Sequence, residues 1–150
     1  MNNFKKFDER QLWIRGSIFK HMFFIIGALL MINAFLAASD IIWADGFISN
    51  LIIFVVSLVA GSVEMIFKGV YIQGQIQQRI MMTLSLISGL LVFAAGITKL
   101  LVNGEKFISD GALTENGGFL ILSVLFLTIG VSAAVKLLSD KFKKDSENRE

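Results

Sequence analysis

The chain has 150 residues and a formal net charge of +2. Residues of the AVILMFWYC set make up 55% of it, and it contains neither proline nor cysteine. Without cysteine there are no disulfides, thiolate metal sites or cysteine nucleophiles, and a soluble globule of this size could not hide so much apolar surface. Fourteen phenylalanines and the absence of proline suit uninterrupted helices facing lipid.

Residues 1–17 read as a cytoplasmic amphipathic segment. Phe4 and Phe7 beside Lys5 and Lys6 suggest a stretch lying on anionic headgroups. Asp8-Glu9-Arg10-Gln11 has the form of a capping box, which predicts a helix starting near Glu9 and running into the first apolar block with Trp13 at the interface. Four apolar blocks follow, at about 18–38, 47–67, 80–101 and 119–138. Each matches the roughly 20 residues that cross a hydrocarbon core of about 30 Å. The first block is longer than a signal-peptide core of about 7–15 residues and follows a long charged leader, so an uncleaved anchor is expected.

The connections carry the orientation. The first is short, Ser39 to Gly46, with Trp43 at the interface. The second, Lys68 to Arg79, is glutamine-rich, with Tyr71 as an interface anchor. The third, Val102 to Gly118, is the longest. It is expected to hold a short interfacial helix around Phe107 and Ile108, with Gly117-Gly118 as a turn. Residues 139–150 form a charged cytoplasmic tail whose composition predicts disorder. Twelve of the fourteen Lys and Arg residues fall on the side shared by both termini. The positive-inside rule therefore gives an all-α, four-helix transmembrane bundle, up-down-up-down, with N and C termini in the cytoplasm of a cell (inner or plasma) membrane.

Ionisable residues inside spans are the first functional candidates. Glu64 lies near the cytoplasmic end of the second span, with Lys68 at i+4 and His21 at similar depth on the first. Two readings fit: a proton- or cation-binding site of Glu64 with His21 or Arg15, or an interfacial ion pair of Glu64 with Lys68 or Arg79 that holds helix ends together. Asn33 is the best placed of the uncharged polar residues in the spans, because its amide needs partners away from water. Small residues recur at helical spacing: Ser57 with Gly61, Ser85 with Gly89, Gly130 with Ala134. Gly89 and Gly96 are a heptad apart. These patterns predict close helix packing and permit a homodimer through the third span. With one histidine, a metal site would need several carboxylates converging on His21; no metal and no cofactor are expected. The basic residues sit at membrane edges, which accounts for them without nucleic acid.

The segment DERQLWIRGSIF, from Asp8, resembles the start of an uncharacterised family of small bacterial four-span integral membrane proteins that carry a D-E-R-Q motif before the first span. Asp8, Glu9, Arg10 and Gln11 match it. The resemblance implies a bacterial inner-membrane location, supplies no catalytic residues, and suggests a regulatory role alongside small helix-turn-helix regulators. The expected function is therefore non-enzymatic: an accessory, regulatory or immunity-type component acting through a membrane or cytoplasmic protein partner, with Asp8–Gln11 as a contact motif. The alternative is a small homo-oligomeric transporter or channel with Glu64 as its coupling carboxylate. A membrane enzyme ranks third.

Overall fold

The computed structural model describes residues 8–71 and 75–147. The amphipathic stretch around Phe4 and Phe7, the loop residue Gln73 and the terminal Arg149 lie outside them. Among the described residues the fold is all-helical apart from one hairpin: α1 (Glu9–Ala38), α2 (Gly46–Phe67), α3 (Gln75–Val102), β1 (Ile108–Ser109), β2 (Ala112–Leu113) and α4 (Glu115–Glu147). All four helices are long and apolar enough to cross a membrane. Helices suit that solvent because every mid-helix backbone group is bonded within its own segment.

The helix ends are closed chemically. The Asp8 carboxylate accepts from the Gln11 amide at 2.6 Å, and the Gln11 side chain accepts from the Asp8 amide at 3.2 Å, completing the expected capping box. α2 ends in a Schellman motif. Gly69 has φ +67, its amide donates to the Ile66 carbonyl, and the Val70 amide donates to that of Met65. α1 ends the same way, with Asp40 in the left-handed position (φ 57), and the Ile41 amide reaches back to the Leu36 carbonyl.

The long connection differs from expectation. No helix forms around Phe107 and Ile108; β1 and β2 pair antiparallel, Ile108 with Leu113 and Ser109 with Ala112. Asp110 and Gly111 both have positive φ (51 and 81), as a two-residue type I′ turn requires. The Leu113 amide also donates to the Trp43 carbonyl at 2.8 Å, and Ala44 bridges to Leu113 in parallel, so the α1–α2 loop is stitched to the hairpin. Gly117 and Gly118 are not a turn. They lie in the first turn of α4, which Thr114 caps by accepting from the Gly117 amide. Their missing side chains make room for the Phe107 carbonyl and Leu113 at Gly117, and for Ile48 at Gly118. The tail is not disordered from its start: α4 continues to Glu147, and Lys136 pairs with Asp140 at 2.7 Å one turn apart.

Among the described residues, the extensive helix contacts are α1 with α2, α2 with α4, and α4 with α3. The helices thus form a row in the order α1–α2–α4–α3, with α4 between α2 and α3. One core lies between α2 and α4 beneath the hairpin, around Ile48, Ile52, Val55, Val59, Leu113 and Leu122. A smaller one, Ile18, Met65 and Val70, joins α1 to the far end of α2, and Tyr71 packs on it. The glycines seat neighbouring side chains within the chain: Met22 over Gly61, Leu127 over Gly89, Leu120 over Gly96, Leu86 over Gly130. Gly89 and Gly96 are buried positions of α3, and both face α4. The small-residue stripe of the third span is therefore used for packing inside one chain.

A Cβ on Gly89 would stand 2.8 Å from the Leu127 side chain and 3.2 Å from its backbone nitrogen, whereas Gly27 has nothing within 4 Å. Gly89→Val is expected to lower stability by about 1–3 kcal/mol. Gly27→Ala is expected to leave stability unchanged or slightly raised. Reversible unfolding in mixed micelles measures both.

Candidate functional site

Two contacts between polar side chains tie α1 to the elements after it, one at each end of the α1–α2 pair. At the end remote from the hairpin, Glu64 sits in the last turn of α2 and Lys68 is that helix's C-cap residue. The i,i+4 spacing brings the Lys68 ammonium to 2.6 Å from Glu64 Oε1. The Met22–Gly61 contact and the Ile18–Met65–Val70 cluster draw α1 against this end of α2. That packing places His21 Nδ1 at 3.2 Å from Glu64 Oε2. One carboxylate thus holds two partners, one on its own helix and one across the interface. Arg79 is not part of the cluster.

The cluster contains one contact from each of the two sequence readings. Glu64 makes both the local pair with Lys68 and the cross-helix contact with His21. His21 is half exposed (side chain 53%) and Glu64 less so (28%). Such a pair contributes little stability in water, about 0–1 kcal/mol.

At the hairpin end, Asn33 accepts a hydrogen bond from the Trp43 indole Nε1 at 2.7 Å. This gives the Asn33 amide oxygen the partner it needs, and fixes Trp43, whose carbonyl holds the hairpin. Sequence reading singled out each residue but not the pair, because the ten-residue separation spans a helix end whose left-handed Asp40 reverses the chain. A small apolar cavity of about 190 Å³ between α1 and α2 borders the pair.

The Asp8–Gln11 segment is a helix cap: Asp8 and Gln11 satisfy one another's backbone amides, while Glu9 and Arg10 occupy the exposed first turn. Seven of the span hydroxyls are turned inward on their own helices. Ser57, Thr83, Ser85, Ser88, Thr98, Ser123 and Thr128 each donate to a carbonyl three or four residues back. Among the described residues, no three His, Asp or Glu side chains converge as metal ligands would.

No family model, curated protein or solved structure matches the chain.

The Asn33–Trp43 bond is open to a double-mutant cycle. Trp43→Phe strands the Asn33 amide and is expected to cost about 1–3 kcal/mol. Asn33→Leu with Trp43→Phe should cost less than the two single changes added, with a coupling of about 0.6 kcal/mol or more. Additive losses in unfolding measurements would show that the bond contributes nothing.

Proposed function

We propose that the chain is a non-enzymatic multi-pass protein of a cell membrane that acts through a protein partner, as an accessory, regulatory or immunity-type component. In this reading the helices run up-down-up-down with both termini in the cytoplasm. The basic-residue bias supports that orientation. So does the packing of α3 on α4, where Leu86 meets Gly130, Gly89 meets Leu127 and Gly96 meets Leu120, in opposite chain directions.

The observation that carries the proposal is the row of helices in which seven span hydroxyls are turned back on their own helix. A row has no axial interior, and a hydroxyl already donating to its own helix presents no ready donor to a passing solute. What remains for recognition is the cytoplasmic edge: the exposed first turn of α1 at Glu9 and Arg10, and the charged end of α4.

The test separates capping from contact. Asp8→Ser keeps a capping oxygen, and Arg10→Ala removes a charge the cap does not need. In-membrane crosslinking at native expression should capture one defined heterologous protein from the wild-type chain, and about tenfold less from the double variant at unchanged helicity. Undiminished capture would leave the motif as a cap alone.

A second reading rests on the His21–Glu64 contact, which joins two helices through ionisable groups. It makes the chain a homo-oligomeric transporter coupled through Glu64. Its dimer would need a face other than the Gly89–Gly96 stripe, which α4 fills. In that case Glu64→Gln abolishes pH-driven cation flux in proteoliposomes, and unchanged flux removes Glu64 from any transport mechanism.

A further inference from the structure

An open cleft of about 440 Å³ lies between α3 and α4 at the hairpin end. It is lined entirely by apolar side chains, including Phe93, Ile97 and Leu100 of α3, Leu120 and Val124 of α4, and Phe107 just before the hairpin. Its size falls in the roughly 300–1,000 Å³ range of small-molecule sites. A polar pocket of about 360 Å³ sits beside it, formed by Glu105, Lys106, Ser109, Thr114, Glu115 and Asn116. The two adjoin along the chain before the hairpin. Lys106 and Phe107 are consecutive, and the Thr114 hydroxyl donates to both of their carbonyls, at 2.7 and 3.1 Å, which fixes the backbone from which Lys106 enters the polar pocket and Phe107 the apolar cleft.

We infer that this pair of pockets is a binding site for one zwitterionic aminophospholipid, an acyl chain in the cleft and the headgroup in the polar pocket. The inference rests on the membrane-spanning reading but not on the proposed partner. The cleft opens sideways from apolar helices, where the bilayer supplies acyl chains, and an unfilled apolar cleft forfeits the dispersion contacts of its walls. The headgroup follows from charge. Lys106 offers an ammonium for a phosphate, while Glu105 and Glu115 offer carboxylates for an amine. Among the described residues none of the three is engaged in an ion pair. A purely anionic headgroup would face two carboxylates for one ammonium. Ser109 and Thr114 already donate within the protein, so charge rather than hydroxyl bonding selects the headgroup.

The experiment uses the full chain in phosphatidylglycerol vesicles, with a trace of phosphatidylethanolamine or of phosphatidylglycerol bearing a mid-chain diazirine, and maps the photolabel by mass spectrometry. The ethanolamine tracer is expected to label segments 93–100 and 120–125 about fivefold above the lipid-facing stretch 23–31, and the glycerol tracer is not. Val124→Trp, which fills the cleft, and Lys106→Gln, an exposed change that leaves packing untouched, should each remove that preference. Equal labelling by both tracers, or label spread evenly over the lipid-facing helices, would each overturn the assignment. A failed partner capture would leave these labelling results standing, so the two readings fail separately.

Discussion

A polar group in hydrocarbon has no water to fall back on, and nearly every local feature of this chain answers that constraint. Seven span hydroxyls fold back on their own helices. α1 and α2 close with Schellman motifs, α1 opens with a reciprocal capping box, and α4 opens on the Thr114 hydroxyl. Other polar side chains are paired across elements: Asn33 with Trp43 at one end, Glu64 with His21 at the other. The helices are thereby free to present apolar surface almost everywhere else, and their arrangement is decided by shape.

Shape is supplied by glycine. Water drives apolar side chains together in soluble proteins, but lipid tails are as apolar as leucine, so helices associate where backbones can approach and side chains interlock. Gly89 and Gly96 receive Leu127 and Leu120, Gly130 receives Leu86, and Gly118 receives Ile48. α4 thus has glycine contacts to α3 along one side and to α2 near its start. α1 has Gly61 of α2 to receive Met22 and little else, and Ile18 is its one buried residue. The row follows from that distribution of small residues.

Much of the fold was legible in the sequence because its signals are local. Apolar block length gave the four helices, Asp8 and Gln11 gave the cap, and i,i+4 spacing gave Glu64 with Lys68. The sequence left open whether Glu64 would meet His21 or only its i+4 lysine, and packing places it against both. The hairpin was missed although Asp110-Gly111 is a strong turn signal: each flanking strand has only two residues, too few to show alternation. Gly117-Gly118 were read by propensity as a turn. Tertiary crowding by Phe107, Leu113 and Ile48 requires glycine there within a helix. The order of helices in the row was not legible, since a small residue advertises a close approach without naming the helix that makes it. Trp43 and Asn33 were each recognised but not joined, because the turn between them depends on Asp40 in a conformation rarely taken outside glycine.

The stitching of Trp43 and Ala44 to Leu113 has a mechanical consequence. At that end, main-chain hydrogen bonds tie the α1–α2 pair to the α3–α4 pair, and main-chain positions shift little without breaking them. Toward the opposite end, among the described residues, α1 is joined to α2 by side chains alone: an imidazole, a carboxylate, a methionine and a few aliphatic groups. Torsions of such side chains are soft compared with a bonded backbone. Elastic distortion of the molecule, whether from bilayer thickness or a neighbouring protein, is therefore distributed unevenly: the hairpin end acts as the pivot of a clothes-peg and the Glu64 end as its jaws.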